Sequence, residues 1–282
     1  MVYRKDIIPF LLLLPTLAYL VLFLGYPLVQ TFILAFTSDK GAFGNFQQLI
    51  STGEFWKTLK NTLLITGVVV PLQLVLALLL ALFVNMRFRG YTIVLYIISI
   101  PLALSDVSAA LMSYSIFAPM GYLNKLLLKL DIIQYPIYFF GFMFKTREFW
   151  VIVLTEVWRA TPLVFVIILA GLQAVNKEYL EAADIFGFSA WQKFRKIILP
   201  ILKPSILSAL LIRTIFAFQI FGVVWLLAGR DIPILAGEAF YWQTEVNNAH
   251  MASAYALIIA LVSLIISWAY LTFLKPAQGS TA

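Results

Sequence analysis

Residues 176–203 read "NKEYLEAADIFGFSAWQKFRKIILPILK" and place eight charged side chains in a chain that is otherwise strongly apolar. The pattern predicts two short amphipathic helices joined at Gly187, because a glycine readily adopts the left-handed conformation that ends a helix. Asn176 is placed to cap the first helix, and Ser189 and Gln192 have the spacing of a capping box for the second. The segment is therefore predicted to be a helix-turn-helix.

Two roles for this helix-turn-helix are compatible with its residues. Pro200 is expected to close the second helix, which would leave a compact knob at the membrane surface. Such a knob suits insertion into a groove on a partner protein. Its apolar contacts would come from Tyr179, Leu180, Ile185 and Phe186. The alternative is an interfacial helix that rests on lipid headgroups. Its basic face would be Lys193, Arg195 and Lys196.

The composition of the whole chain excludes a soluble protein. Of the 282 residues, 62% are hydrophobic and 12% charged, whereas a soluble domain carries about 25% charged residues. The apolar runs do not alternate with polar residues, which favours helices over the strands of a membrane barrel. We predict an all-α integral membrane protein with six transmembrane helices. The predicted spans are residues 7–36, 61–84, 91–118, 149–175, 204–228 and 251–274.

The distribution of basic residues orients these spans. If both termini are cytoplasmic, the inside segments hold ten Lys/Arg in 48 residues and the outside segments hold eight in 76. This bias follows the positive-inside rule. The first span is too long for a secretory signal and lacks a cleavage site, so we expect it to be retained. No hydrophilic linker divides the chain, which predicts a single transmembrane domain over residues 1–282.

Several functions are disfavoured by what the sequence lacks. It contains no cysteine and one histidine, His250, so it offers no disulfide framework or His/Cys metal cluster, and we expect no metal site. No phosphate-binding loop motif is present, so any ATP chemistry is expected on another chain. The +7 net charge is placed around apolar segments and fits membrane topology, not nucleic-acid binding.

Four ionisable residues fall inside predicted spans, where an unpaired charge costs a few kcal/mol. They are Asp106, Glu156, Arg159 and Arg213. One interpretation is structural, in which these charges neutralise one another and fix helix packing. The other is a polar transport path near the middle of the membrane, with amide and aromatic groups for a sugar. Candidates for that path are Gln219, Tyr114, Trp158, Phe216, Phe221 and Trp225, with Gln219 the strongest.

The central segment also resembles a known sequence motif. Glu181, Ala182, Ala183, Gly187, Ile197, Leu199 and Pro200 stand at the spacing of the EAA loop of permease subunits in binding-protein-dependent ABC importers. The resemblance to the sugar-permease branch extends along nearly the whole chain. It includes "LLPTLAYLVLFLGYPLVQTFILAFT" at residues 13–37, "FWKTLKNTLLIT" at 55–66, "GYLNKLL" at 121–127 and "VWRATPLVFVIILAGLQAVNKEYLEAA" at 157–183. The chain most resembles the first maltose-type permease subunit.

This resemblance implies a type I importer permease that moves a sugar by alternating access. The seven motif residues would form the cytoplasmic coupling helix. The implied partners are a second permease, two cytoplasmic ATPase subunits that bind ATP and Mg²⁺, and an extracytoplasmic sugar-binding protein. This chain would itself bind no cofactor. The implied location is the inner membrane of a prokaryotic cell.

The chain departs from the family pattern at two places. Phe186, Gly187 and Phe188 stand where such loops often carry Asp-Gly-Ala, and Leu102 stands where a tryptophan is frequent. Other functions also remain open at this point. An importer for glycerol phosphate or a polyol would share the same loop, and unpaired arginines would favour the phosphate. An ion-coupled secondary transporter would use the intramembrane charges as relays. A membrane-embedded enzyme would need clustered catalytic groups.

Overall fold

The fold was obtained as a computed structural model, which describes residues 7–273 and their side chains from residue 11 onward. Within these residues all regular structure is helical. The α-helices are α1 (Ile7–Leu20), α2 (Tyr26–Phe36), α3 (Gly44–Ile50), α4 (Gly53–Asn85), α5 (Tyr91–Ser99), α6 (Asp106–Phe117), α7 (Tyr122–Lys129), α8 (Lys145–Gln173), α9 (Lys177–Ile185), α10 (Ala190–Lys193), α11 (Leu199–Phe218), α12 (Gly222–Ala228), α13 (Leu235–Thr244) and α14 (Ala249–Phe273). Turns of π-helix cover Val21–Gly25 and Phe194–Ile198, and 3₁₀ turns cover Ile100–Ala103 and Phe142–Phe144.

The prediction of an all-α membrane protein is confirmed. Five helices in the described part of the chain are long and apolar enough to cross a membrane, and a bent helix pair brings the number to six if it counts as one span. The five are Leu11–Phe36, Gly53–Asn85, Phe142–Gln173, Ala190–Phe218 and Ala249–Phe273, and the bent pair is Tyr91–Ala103 with Asp106–Lys129. Position 274, the last residue of the predicted sixth span, lies outside the described residues.

The predicted third span, 91–118, is not one continuous helix in the structure. Its two halves meet at a bend of 103°. The first half ends in a 3₁₀ turn that contains Pro101, and Leu104 takes an extended conformation. Ser105 then starts α6 afresh, because its hydroxyl accepts a hydrogen bond from the amide of Ser108 at 3.1 Å. A proline followed by a helix-capping serine thus breaks the span in the middle of an apolar run.

The predicted fifth span, 204–228, is also wrong in its bounds. Helix runs without interruption over Ala190–Phe218 and stops at Gln219, after which α12 begins. Pro200 does not close a helix as expected but lies in the first turn of α11. The π turn at Phe194–Ile198 precedes it directly, and such a local change in hydrogen bonding is how a membrane helix accommodates a proline.

The second and fourth spans begin earlier than the apolar runs that predicted them. The second begins at Gly53, with Glu54 in its first turn, and the fourth begins at Lys145. Acidic residues in a first turn stabilise a helix through its dipole, so helix extends beyond the strictly apolar core. The predicted outside segments likewise contain short helices, α3, α7 and α13.

The chain divides into two compact units, and each is described by itself. The first consists of Met1–Trp56 and Glu238–Ala260. Its α1–α2 helix ends where Asn45 Nδ2 donates hydrogen bonds to the carbonyl oxygens of Ala35 and Thr37 at 3.0 and 2.9 Å. The ring nitrogen Nδ1 of His250 lies 3.0 Å from the carbonyl oxygen of Leu34. These two side chains therefore satisfy the open carbonyl groups at a helix end.

The second unit consists of Lys57–Gly237 and Leu261–Ala282 and contains two apolar clusters. Helix α8 crosses both clusters and is the most buried of the candidate spans. It packs closely on α11, because a Cβ atom on Gly171 would collide with the side chain of Ser205. Small residues allow this approach between membrane helices. The second unit holds the residues that sequence analysis marked as functional.

Candidate functional site

The predicted helix-turn-helix, here called the knob, comprises residues 176–193 and begins at a capped helix. The side chain of Asn176 accepts a hydrogen bond from the amide of Glu178 at 3.1 Å, as its position predicted. Of the three residues that follow in the motif, Glu181 and Ala182 are exposed, whereas Ala183 is buried. The exposed face is thus free to meet another surface.

The turn of the knob requires a left-handed residue. Gly187 has a φ of +73°, and its amide donates to the carbonyl oxygen of Asp184 at 3.0 Å. The amide of Phe188 donates to the carbonyl oxygen of Ala183 at 2.9 Å. This pair of hydrogen bonds is the Schellman arrangement, in which glycine is preferred because it has no Cβ penalty. The sequence prediction for Gly187 is confirmed.

The second helix of the knob starts with the capping box that the sequence predicted. The amide of Ser189 donates to Gln192 Oε1 at 2.7 Å, and the amide of Gln192 donates to Ser189 Oγ at 3.3 Å. An ion pair of 2.6 Å between Lys193 and Asp184 connects the two helices across the turn. The knob is therefore held by local contacts on both sides of Gly187.

The tip of the knob exposes apolar side chains. Ile185 is 86% exposed and Phe186 is 79% exposed, and Tyr179 is also exposed. The remaining motif residues lie elsewhere, since Ile197 belongs to the π turn and Leu199 and Pro200 to the start of α11. Glu181 to Gly187 thus lie within the knob, and the last three motif residues lie at the start of the adjoining span.

The four intramembrane charges lie together. Arg159 contacts Asp106 at 2.8 Å and Glu156 at 3.2 Å, and Arg213 contacts the other oxygen of Glu156 at 2.9 Å. Two cations and two carboxylates therefore form one network whose formal charges cancel. Glu156 and Arg213 are buried, whereas the side chain of Asp106 is 40% exposed.

A fifth member of this network, Gln73 on α4, was missed by sequence analysis. It is fully buried, its Oε1 accepts a hydrogen bond from Arg213 Nε, and its Nε2 donates to the backbone oxygen of Glu156 at 2.7 Å. The available signal was that Gln73 is the sole polar side chain in residues 67–84. A lone amide in an apolar span needs a partner, and here it joins α4, α8 and α11.

A cavity of about 440 Å³, here called the central cavity, adjoins the network. It is lined by Leu102, Asp106, Arg159, Ala160, Leu163, Arg213, Phe216, Gln219 and Ile220. Of the predicted path residues, Gln219 and Phe216 therefore face it. Leu102, one of the two departures from the family pattern, also lines it.

The break in the third span and the end of α11 both reach this cavity. Asp106 starts α6 directly after the break, and Gln219 follows the last residue of α11. The start of α6 lies close to the start of α12, because a Cβ atom on Gly222 would lie 2.8 Å from Asp106 Cβ. Irregular backbone within a membrane is tolerated where it lines a cavity. Here Asp106 and Gln219, which lie beside irregular backbone, both line the central cavity.

The other predicted path residues lie away from the central cavity. Trp158 lines a separate, apolar cavity of about 310 Å³. Tyr114 is exposed, and its ring packs in a tilted arrangement against that of Phe140 at a centroid distance of 5.2 Å. The rings of Phe221 and Trp225 lie 5.7 Å apart, and neither residue lines the central cavity. Within residues 7–273 no three His, Cys, Asp or Glu side chains are grouped so as to hold a metal ion.

Comparison with known proteins gives a consistent result. Residues 73–275 match the sequence profile of the family described as "Binding-protein-dependent transport system inner membrane component". The chain is 32% identical, over 80% of its length and 79% of the relative's, to the trehalose/maltose transport system permease protein MalF of Thermococcus litoralis. It is 33% identical, over 78% of its length and 72% of the relative's, to the trehalose transport system permease protein SugA of Mycobacterium tuberculosis.

The fold is likewise similar to a solved structure. A chain of a bacterial ABC transporter involved in the import of the acidic polysaccharide alginate superposes with a TM-score of 0.84. The match covers 98% of each chain at 22% sequence identity, and we use it for the fold alone.

Proposed function

The chain belongs to the family of binding-protein-dependent transport system inner membrane components, and from this premise we propose that it carries a neutral saccharide across the inner membrane. It is a permease, the transport component of an ABC importer. Membership in this family disfavours the two alternative functions, a secondary transporter and a membrane-embedded enzyme. MalF and SugA, the two relatives described above, are named for trehalose or maltose transport, which supports an uncharged disaccharide as substrate.

The observation that carries the proposal is the meeting of one broken span, at Asp106, with the end of another, at Gln219, at a cavity that holds charged and amide side chains. Transporters commonly form their substrate sites from discontinuous helices near the middle of the membrane. The central cavity offers the amide of Gln219 and the ring of Phe216, which suit the hydroxyl groups and the C–H face of a sugar. We place the substrate path there and exclude Tyr114 and Trp158 from its lining.

The charge balance of the cavity favours a neutral substrate over glycerol phosphate. Both arginines are engaged by carboxylates, so neither is a free cation for a phosphate group. Arg213 uses Nε and Nη2 in its contacts with Gln73 and Glu156. Its Nη1 takes no part in those contacts, and in this proposal it donates a hydrogen bond to a hydroxyl group of the sugar. The network would therefore bind by hydrogen bonding without excess charge.

The knob would couple this path to ATP hydrolysis. In this proposal its exposed tip inserts into an ATPase subunit, and closure of the two ATPase subunits moves the spans by a rigid-body change. The working complex would also contain a second permease and an extracytoplasmic sugar-binding protein. Both termini of the chain would face the cytoplasm.

Gentle solubilisation followed by identification of co-purifying proteins tests the assembly. We expect an ATPase subunit and a second permease to accompany the chain. Recovery of the chain alone, under conditions that preserve transport, would contradict the proposed complex.

Saccharide stimulation of ATP hydrolysis in the complex, in the presence of the binding protein, tests the path. Gln219→Ala and Phe216→Ala should each raise the saccharide concentration that gives half-maximal stimulation of ATP hydrolysis. Phe32→Ala, which removes an exposed ring from the first span, serves as the matched control and should change nothing. Equal behaviour of all three variants would place the path elsewhere.

A further inference from the structure

A second polar cavity lies at the ends of the spans, away from the central cavity. It measures about 330 Å³ and occurs where α4 and α8 end and α9 begins. Its polar lining includes Asn85 and Arg87 from the first of these ends, Gln173 from the second and Lys177 from the start of α9. Since α4 and α8 are candidate membrane spans, the cavity is at the level of the lipid headgroups on the side of the knob.

The charges of this cavity have one sign. Arg87 and Lys177 line it, and no acidic residue does. Neither cation forms an ion pair with a side chain in the described part of the chain. The nearest acidic residue in sequence, Glu178, accepts a hydrogen bond from Asn176 Nδ2 at 3.2 Å. The cavity is therefore basic, and two amide side chains add hydrogen-bonding groups.

The backbone also holds Arg87 in an uncommon conformation. Its φ is +50°, a left-handed value that is unusual for a residue other than glycine. The amide of Arg87 donates to the carbonyl oxygen of Val84 at 3.1 Å, which closes the turn after α4. This turn places the side chain of Arg87 at the cavity.

One wall of the cavity is apolar. Leu172 and Ile198 line it beside the polar groups, and both belong to candidate spans or their helical continuation. A basic, amide-bearing site with an adjoining apolar wall at headgroup level matches a molecule that has a phosphate group and a hydrocarbon chain.

We propose that this cavity binds the phosphate group of an anionic phospholipid of the inner leaflet and so connects the turn at Arg87 to the start of the knob. The lipid would neutralise Arg87 and Lys177 together and fix α9 relative to α4. Because α9 carries Glu181 to Gly187, occupancy would set how firmly the knob is held. The binding part of this inference is independent of the substrate proposed above and of the ATPase partners.

Lipid retention by the purified, full-length protein tests this proposal. The protein is exchanged into detergent with phosphatidylglycerol or phosphatidylcholine, and retained lipid is measured by native mass spectrometry. We expect selective retention of phosphatidylglycerol. Arg87→Gln and Lys177→Gln should each lower its affinity about fivefold, the effect of one basic residue at an anionic surface. Arg89→Gln is the matched control, because Arg89 lies on the same turn and does not line the cavity.

The outcomes separate the possible ligands. Selective retention that is weakened about fivefold in each of the two cavity variants and kept in Arg89→Gln supports the proposal, provided that all proteins remain monodisperse on gel filtration. Equal loss in Arg89→Gln would overturn it in favour of a diffuse basic surface. Displacement of the lipid by millimolar inorganic phosphate would overturn it in favour of a free-anion site. Unchanged lipid retention with loss of a co-purifying ATPase subunit would overturn it in favour of a protein contact.

Discussion

Glu156 and Arg213 are buried charged residues. A buried charge in a membrane protein needs an ion-pair partner and hydrogen bonds to offset its loss of hydration. Gln73 supplies a partner that spacing rules cannot find, because it lies on a different helix and is 83 positions away from Glu156. The caps at Asn176 and Ser189 were predictable for the opposite reason. Each cap is made within three residues of sequence, so local pattern is sufficient.

Substitution of Gln73 should lower stability. Gln73→Leu removes the acceptor of Arg213 Nε in a buried site, and the expected loss is about 1–3 kcal/mol. Glu156→Gln should cost more, about 3–5 kcal/mol, because it leaves buried arginine charge uncompensated. Thermal unfolding of the purified protein in detergent measures both. The exposed Gln47→Leu is the control and should unfold as the wild type does. Wild-type stability in Gln73→Leu would mean that the network contributes nothing.

Gly187 provides the residue-scale test of the knob. A Cβ atom there would meet nothing within 4 Å, so the penalty of substitution comes from the left-handed backbone alone. Gly187→Val should insert into the membrane normally and abolish saccharide-stimulated ATP hydrolysis in the reconstituted complex. Gly187→Asn should keep most of it, because asparagine tolerates this conformation. Normal stimulation in Gly187→Val would contradict the coupling role of the knob.

At the scale of elements, the break in the third span and the displaced bounds of the fifth are what the sequence did not predict. Mean hydropathy records which residues prefer lipid, and the two halves of the third span are together still apolar enough to cross a membrane. The third span breaks because Pro101 and Ser105 act together, and the fifth is displaced because a π turn accommodates Pro200. The effect of a proline depends on the turn beside it, and composition does not show that turn.

Contact between α6 and α12 should be sensitive to a single methyl group. Gly222→Ala would place a Cβ atom 2.8 Å from Asp106 Cβ, so the start of α6 or of α12 must shift. We expect a loss of stability of about 1–3 kcal/mol from overpacking, together with weaker saccharide stimulation. Gly67→Ala is the matched control, since nothing lies within 4 Å of the added atom. If both variants unfold at the same temperature, the close approach of α6 and α12 is not present in the protein.

For the whole molecule, the six-span interpretation and the side of the knob form one topological claim. The chain has no cysteine, so single cysteines can be introduced without background. In spheroplasts, an impermeant maleimide should label Tyr135→Cys, in the outer segment, and should reach Phe186→Cys only after the membrane is permeabilised. Both positions are exposed on the protein surface, so the side of the membrane on which each lies decides whether it is labelled. Labelling of Phe186→Cys in intact spheroplasts would contradict this topology and place the knob on the outer side of the membrane.

The family and the helical class could be predicted from sequence because they depend on composition and on one motif at fixed spacing. The central cavity could be predicted only in part. Of the residues that the sequence marked, Gln219, Phe216 and three of the charged residues line it, whereas Tyr114 and Trp158 do not. Which side of a helix faces a cavity depends on its neighbours, and two displaced helix boundaries changed those neighbours here.

The most direct test of the account is ATP-driven uptake by proteoliposomes that contain the complete complex and its binding protein. A radiolabelled neutral disaccharide of the maltose or trehalose type and radiolabelled glycerol 3-phosphate are compared, with and without enclosed ATP. The account predicts ATP-dependent uptake of the disaccharide, no uptake of glycerol 3-phosphate, and loss of disaccharide uptake in Gln219→Ala. Uptake of glycerol 3-phosphate in preference to the disaccharide, or uptake that needs no ATP, would contradict it.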